Sequence, residues 1–469
     1  MNVFGRLAFR IGLEFLCKLK PTRSLLLAGW LAGCFSSNNP PTTPLPPESW
    51  NDLKQKVALL RELPFKRDVS LTTESSNATP AVPEAYVTEE YGAQPLAAIS
   101  RAYKRLGLLP ESTDFAGALA EYARLERIFY YETRKDVIVI TPDAAELARA
   151  MITGPLRHSE QMPLVLALTQ ALQEQHFRWQ EKLKRVSDED RKLAFRALSA
   201  GDAFLVGSVF LRESQPTANP PDTLQTMARW STALDKRASH LPDLLRHKLV
   251  FPYRQGSRFV QWAYAAKAWP GVNAVFADPP LSTSQVLYPE KYYIKRENPL
   301  YLSSAGLARQ MRETSAVDQT LGAYLIQFLL SANLSSQAVA QIAAAWTGDQ
   351  LSVYPDGENF LTAWISAWKN QDDARLFYGA YRTVLERRHR LRFAALAGPN
   401  DTLLGEPAGN ASMLLQLKGP FVLLLDGPSA TRARQLADDI WQSLDAETES
   451  TIIPFDSATG HSQWSLKSR

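Results

Sequence analysis

Residues 161–186 read QMPLVLALTQALQEQHFRWQEKLKRV, and residues 187–204 continue SDEDRKLAFRALSAGDAF. Apolar side chains recur at three- and four-residue spacing in both stretches. They predict a long amphipathic helix over 161–186 and a second one from Asp188, after a cap at Ser187. The same periodicity runs outward in both directions. Upstream it predicts helices over Leu96–Leu108 and Phe115–Arg127, short strands at 129–131 and 137–140 around a turn at Thr133–Asp136, and a helix opened by Pro142-Asp143. Downstream, a loop at 214–224 precedes helices at 225–248, 256–269 and 271–277, a proline-bounded segment at 279–293, and helices at 303–313, 317–332 and 335–344. Val353–Tyr354 and Leu361–Ser366 read as strands and 370–390 as a helix. Strand Ser412–Leu417, turn Lys418-Gly419-Pro420, strand Phe421–Asp426 and helix Thr431–Leu444 then form a C-terminal α/β unit. The class is α+β, predominantly α-helical, with small β elements.

Charge placement bounds the partners. The 469 residues carry 52 Lys+Arg against 48 Asp+Glu. Residues 1–34 hold five of the basic side chains (Arg6, Arg10, Lys18, Lys20, Arg23) and one acid, Glu14. The remaining 435 residues are therefore neutral, and nothing in the composition steers them onto nucleic acid. The only cysteines are Cys17 and Cys34, so the body carries neither a disulfide framework nor a cysteine metal site. Lys18, Lys20 and Arg23 precede an apolar run, Ser24–Gly33, too short to span a bilayer but suited to a signal peptide. Leu31-Ala32-Gly33-Cys34 resembles the bacterial lipobox, which implies cleavage before Cys34 and membrane attachment through lipid on its thiol. Phe35 stands where an Asp would signal inner-membrane retention, so the periplasmic face of the outer membrane is expected if the source is Gram-negative. Five prolines between Pro40 and Pro47 make an extended tether. Five segments follow: a signal peptide (1–34), a tether and arm (35–82), a main helical region (83–310), a second helical and strand region (311–398) and a C-terminal strand–strand–helix unit with its tail (399–469).

The stretch 166–177, LALTQALQEQHF, resembles the helix H-E-L-T-H-A-L-Q-D-Q-H-F of bacterial exported zinc-metallopeptidase-like proteins. Leu168, Thr169, Ala171, Leu172, Gln173, Gln175, His176 and Phe177 match it. Ala197-Leu198-Ser199-Ala200-Gly201-Asp202-Ala203 is similar to that family's A-L-x-E-G-D-A. Further blocks follow in the same order: Tyr130-Tyr131, Phe251-Pro252-Tyr253 through Val260, Phe276–Tyr292, Ala345–Asp349 and Asp372–Phe377. The resemblance covers roughly residues 83–390 and implies a metallopeptidase-like helical core. The zinc ligands and general base that it implies fall on Leu166, Ala167, Gln170 and Ala200. Leu and Ala cannot ligate, Ala167 cannot accept a proton, and a Gln amide is a poor zinc ligand. A degenerate site without metal or other cofactor is expected, and Leu166 and Ala167 suit a packed interior.

The six histidines (158, 176, 240, 247, 389, 461) include no pair one helical turn apart. His176 reads as a helix-surface or supporting residue. Glu126, Glu132, Asp188, Asp190 and Asp202 read as solvated or capping acids, with Asp202 able to order the old pocket. Arg387-Arg388-His389-Arg390-x-Arg392 reads as a solvated helix end, or else as a contact for anionic lipid headgroups. The tryptophans at 262, 269, 346, 364 and 368 are assigned to the core. Three functions remain open: a lipid-anchored envelope protein that binds a protein or peptide without cutting it; a hydrolase built from other groups, for which Glu174, His176, Asp202 and Tyr253 are the candidates; and a purely structural envelope lipoprotein.

Overall fold

The computed structural model describes residues 47–74, 90–91, 94–144, 146–147, 159–214, 220–311, 315–356, 359–397, 401–406 and 412–448. The signal segment, Cys34, most of the tether, His158 and His461 lie outside the described residues. In chain order the elements are α1 (Pro47–Arg61), β1 (Ser70–Thr73), α2 (Leu96–Leu106), α3 (Phe115–Glu126), β2 (Phe129–Glu132), β3 (Val137–Ile140), α4 (Met162–Phe177), α5 (Trp179–Lys184), α6 (Glu189–Ser214), α7 (Pro220–Arg237) and α8 (Asp243–Ala277). There follow α9 (Thr283–Leu287), α10 (Glu290–Tyr293), β4 (Leu300–Ser304), α11 (Ala305–Met311), β5 (Val317–Gln319), α12 (Gly322–Ser331), α13 (Ser336–Ala344), β6 (Trp346–Asp356) and β7 (Asn359–Trp368). The chain closes with α14 (Gln371–His389), β8 (Ala394–Leu396), β9 (Asp401–Gly405), β10 (Met413–Lys418), β11 (Phe421–Asp426), α15 (Ala430–Ser443) and β12 (Leu444–Thr448). The fold is α+β and predominantly helical.

Helix α6 is the axis of the helical half. It is long and apolar enough to cross a membrane by length and composition, but it lies buried among α4, α8, α1 and α9. Its approach to α8 is set by two glycines. A Cβ on Gly201 would collide with the Gly256 carbonyl, and a Cβ on Gly256 with the Ala197 carbonyl. The Gly201-Asp202 step is thus a close helix crossing, as its small residues suggest. The predicted helix over 161–186 is broken at Arg178, which adopts φ 52° and separates α4 from α5. The cap of α6 is Asp188, whose Oδ1 accepts the Arg191 N–H at 2.7 Å, rather than Ser187. The backbone of α8 leaves helical geometry at Lys267 and Ala268 just before Pro270, so the expected division between helices at 256–269 and 271–277 is present, two to three residues early, while the gap expected between 248 and 256 is closed.

The arm expected within 35–82 belongs to the core where it is described. Trp50, Leu53, Val57 and Leu60 are buried in the main core, and Arg61 is fully buried. Beyond them, β1 joins the β2–β3 hairpin as a parallel edge strand, Ser70 opposite Val137 and Thr73 opposite Ile140.

The other half is a seven-stranded antiparallel sheet in the order β5-β6-β7-β11-β10-β9-β8. Residues 421–426 (FVLLLD) are apolar on both sides because the sheet is covered on both faces. Val422 and Leu424 face the helical core, while Leu423 and Leu425 meet Leu436 and Ile440 of α15. Two expected boundaries dissolve here. Strand β11 pairs with β7 across the division at 398/399, and β12 pairs with β4 across the one at 310/311. The expected helix over 317–332 begins instead with β5, three residues too short to show a period.

Because the α6–α8 crossing brings backbone against backbone, Gly256→Ala should cost ~1–3 kcal/mol of stability or more. Urea denaturation of the purified protein measures this, and a loss under ~1 kcal/mol would contradict the geometry.

Candidate functional site

Helices α4 and α6 pack antiparallel. At one end, a Cβ on Gly207 would press against the methyl of Met162 and reach Leu166 Cδ2. At the other end, Gln173 donates from Nε2 to the Ser199 carbonyl at 3.0 Å and to Asp202 Oδ2 at 2.9 Å. Ser199 Oγ returns a bond to Gln173 Oε1 at 2.6 Å. This register puts Ala200 level with the Gln170–Gln173 turn. Leu166 and Gln170 share the side of α4 that faces α6, and Ala167 is turned roughly 100° from Leu166. Leu166 and Ala167 are fully buried, Ala200 is buried and Gln170 is half-buried.

Into the far end of this interface the arm inserts a cation. Arg61, the last residue of α1, sets its Nε 2.9 Å and 3.1 Å from the two carboxylate oxygens of Asp202. Its Nη2 donates to Asn273 Oδ1 at 2.8 Å. The guanidinium lies over the Trp269 ring, 4.5 Å from its centroid, with the Phe177 ring on another side at 5.9 Å. Both charged side chains are fully buried. Four helices, α1, α4, α6 and α8, therefore meet at one ion pair, and the carboxylate nearest the degenerate positions is already neutralised from within the chain. A small apolar depression beside it is lined by Trp179, Phe195, Leu198, Ser199, Phe276 and Pro279, with Lys182 at its rim donating to the Phe276 carbonyl.

The four candidate hydrolytic groups do not gather. Glu174 accepts the Gln180 N–H at 2.8 Å, ties α4 to α5, and is pushed up by burial. His176 Nε2 bonds the Pro64 carbonyl at 2.7 Å, and desolvation lowers its pKa, so the ring is neutral near pH 7. Because a carbonyl only accepts, Nε2 carries the proton. Tyr253 packs against Phe204 and Trp230, and burial raises its phenol. Asp202 alone belongs to the interface. Among the described residues, no group of three or more His, Cys, Asp or Glu is arranged to hold a metal ion.

Of the acids expected to be solvated or capping, Asp188 caps α6, whereas Asp190 and Asp202 are interior, as is Asp349. Asp190 is buried against Thr283, taking its N–H at 3.0 Å and its hydroxyl, and its pKa is driven well up by desolvation and by Asp188. Asp349 is fully enclosed. It accepts the N–H groups of Leu321 and Gly322 and the indoles of Trp346 and Trp364, all at 2.9 Å, and so caps α12 from a distance in sequence. Burial pushes its pKa up to about 6 against those four donors. Glu126 is part-buried in an ion pair with Arg196 at 2.9 Å. That pair extends to the buried Glu90, which Arg196 grips at 2.7 Å, and on to Lys248 and Glu189. The basic run at the end of α14 is largely engaged: Arg387 holds Asn333, Arg388 the Leu109 carbonyl and Glu111, and Arg392 Glu386. His389 accompanies Arg105, which forms a paired contact with Asp426 at 2.6 and 2.7 Å between α2 and the sheet. The tryptophans at 269, 346, 364 and 368 are core, and Trp262 stacks half-buried on Tyr293.

Residues 309–437 match a family described as a domain of unknown function (DUF8575). The match spans the seven-stranded sheet and most of its covering helices, and includes neither α4 nor α6. No curated protein and no solved structure matches the chain.

Two outcomes follow. Arg61→Leu and Asp202→Leu should each cost ~3–5 kcal/mol, since each strands a buried charge, while the double replacement should cost clearly less than their sum. Chemical denaturation of the three variants tests this, and simple additivity would contradict a coupled pair. For Asp349, a folded pKa raised above the unfolded value gives stability that is complete below the unfolded pKa and is lost as pH rises through about 6. The stability of wild type relative to Asp349→Asn should therefore fall between pH 4 and 7, and a flat difference would refute the shift.

Proposed function

We propose that the protein is a lipid-anchored envelope protein with a metallopeptidase-like helical core that binds a protein or peptide segment without cleaving it. The observation that carries this reading is the α4–α6 interface. Where the resemblance sets ligands and a general base, Leu166 and Ala167 pack into the interior, Ala200 is buried and Gln170 half-buried, and Asp202 is spent on Arg61. The antiparallel packing of the two motif helices, with Gln173 and Asp202 bonded across it, supports their being a related pair. The anchoring half of the proposal rests on Leu31-Ala32-Gly33-Cys34 and the tether behind it.

A second reading, a structural envelope lipoprotein, is favoured by the closed packing around Leu166. It shares the anchor and differs in having no exchangeable occupant. A hydrolase of unrecognised type finds Glu174, His176 and Tyr253 each held in separate surroundings.

The test is direct. The mature protein, purified without chelator and dialysed against micromolar zinc, should hold below about 0.1 zinc per chain by elemental analysis. Stoichiometric zinc would sink the binding-only reading. Cys34→Ser should shift the protein from the membrane to the soluble fraction and abolish incorporation of labelled fatty acid; retention of both would remove the anchor.

A further inference from the structure

The last carbonyls of an α-helix have no partner within it, and those of α2 are answered by side chains of α14, far along the chain. Arg388 donates from Nη2 to the Lys104 carbonyl at 3.2 Å, His389 bonds the Arg105 carbonyl through Nε2 at 2.8 Å, and Tyr381 donates its hydroxyl to the Leu106 carbonyl at 3.2 Å. Three consecutive carbonyls thus depend on one distant helix. Arg105 is also the residue that ties α2 to the sheet. Its Nη2 meets Asp426 Oδ1 at 2.6 Å and its Nε meets Oδ2 at 2.7 Å. The remaining nitrogen, Nη1, lies 3.3 Å from His389 Nδ1. One imidazole therefore holds both the backbone and the side chain of the residue that joins α2 to β11.

That arrangement fixes the protonation of the ring. A carbonyl only accepts and a guanidinium only donates, so Nε2 carries the hydrogen and Nδ1 offers its lone pair. A second proton could go only to Nδ1, where it would point at Nη1 and set two cations against each other. The surroundings divide on whether it is taken up. Asp426 of β11 and the C-terminus of α14 favour a charged ring, but both oxygens of Asp426 are already held by Arg105. Partial burial, Arg105 of α2 and then Arg388 of α14 oppose the charge, and they hold the ring below its ordinary pKa. Glu111 faces Arg388, 3.2 Å from Nη2, and Arg390, next to the ring in sequence, is exposed. Tyr381 is buried, and burial and Asp426 push its phenol well up. Of the three side chains that cap α2, only His389 changes charge near neutrality. The ring is half-buried rather than sealed from solvent.

We propose that His389 is an acid-sensitive latch on the joint between α2, α14 and the sheet. When neutral, the ring binds Arg105 at two points and keeps its guanidinium on Asp426. With a proton on Nδ1, it loses the bond to Nη1, repels the guanidinium and loosens the corner where α2 meets β11. The proton comes from solvent and returns to it, so the change is reversible. The latch involves neither α4 nor α6, and it stands apart from whatever the α4–α6 interface binds.

The first measurement uses the wild-type protein. The imidazole C2 hydrogen of each histidine exchanges at a rate that follows its own titration, so mass spectrometry of peptides taken across a pH series gives the midpoint of His389. It should lie below the roughly 6.5 of an unperturbed histidine, and a midpoint at or above that value would overturn the latch. A folded pKa depressed below the unfolded one gives stability that is complete above the unfolded pKa and is lost as pH falls through the folded one. Asp349 changes in the opposite sense, so the wild-type profile alone mixes the two. His389→Gln separates them, because its amide keeps a donor and an acceptor and does not titrate. The folding equilibrium constant of wild type relative to this variant, from urea denaturation, should fall by up to about tenfold per pH unit on acidification from about pH 7 to the His389 midpoint. A constant ratio would overturn the proposal. If the variant does not fold, backbone hydrogen exchange of the wild type decides. After correction for intrinsic rates, the amides at 103–109 should lose about tenfold in protection relative to those of α6 between about pH 7.5 and about pH 5. Unchanged relative protection would refute a joint that acid loosens.

Discussion

A guanidinium with no exposure to water is costly to bury unless its charge is paired, and Arg61 at the end of α1 is met from three other helices. Asp202 of α6 supplies the charge, Asn273 and the Trp269 face of α8 take Nη2 and the guanidinium plane, and Gln173 of α4 fixes the carboxylate, while Nη1 is buried without a hydrogen-bond partner. The pair adds little net stability over an apolar filling. What it imposes is register, because sliding α1 or α6 breaks the ion pair and sliding α4 or α8 breaks a hydrogen bond to it. The α6–α8 crossing at Gly201 and Gly256 works in the same sense, since it leaves no room for the axes to separate or rotate.

The two halves of the molecule are joined by the same kind of contact. Arg105 reaches from α2 to Asp426 at the end of β11, and Asp349 of β6 caps α12 while Asp190 of α6 closes on Thr283 beside it. Apolar packing between α2, α14 and the sheet supplies area, but area tolerates sliding. These directional pairs select one arrangement of helices on the sheet. The blocks around Trp346–Asp349 and Ser282-Thr283 therefore have a structural explanation that needs no ligand.

The sequence made the elements legible where a period of 3.6 or 2 ran long enough, as in α2, α3, α4, α14 and the β10–β11 hairpin. It misled where the deciding partner was distant. Arg61 looks like an ordinary basic residue at a helix C-terminus, and its partner lies 141 positions away. Arg105 and Asp426 are 321 positions apart. Short strands such as β4 and β5 carry no period, so two sheets that each cross an expected boundary, the seven-stranded one at 398/399 and the β4–β12 pair at 310/311, read as separate units. The choice between Ser187 and Asp188 as cap is a one-residue ambiguity that only hydrogen-bond geometry resolves. At the candidate site, the absence of ligating side chains at Leu166, Ala167 and Ala200 is readable from residue types alone. What fills the neighbouring space is not.

That filling follows a simple electrostatic logic if the motif helices descend from a zinc site, as proposed. A carboxylate beside a dication is compensated by it. Remove the metal's ligands and Asp202 is left at zero exposure with a charge to neutralise. It can protonate, be replaced, or recruit a cation. Leu166 and Ala167 solve only the problem of volume. Arg61 solves the problem of charge, and its arrival converts a stretch next to the tether into core.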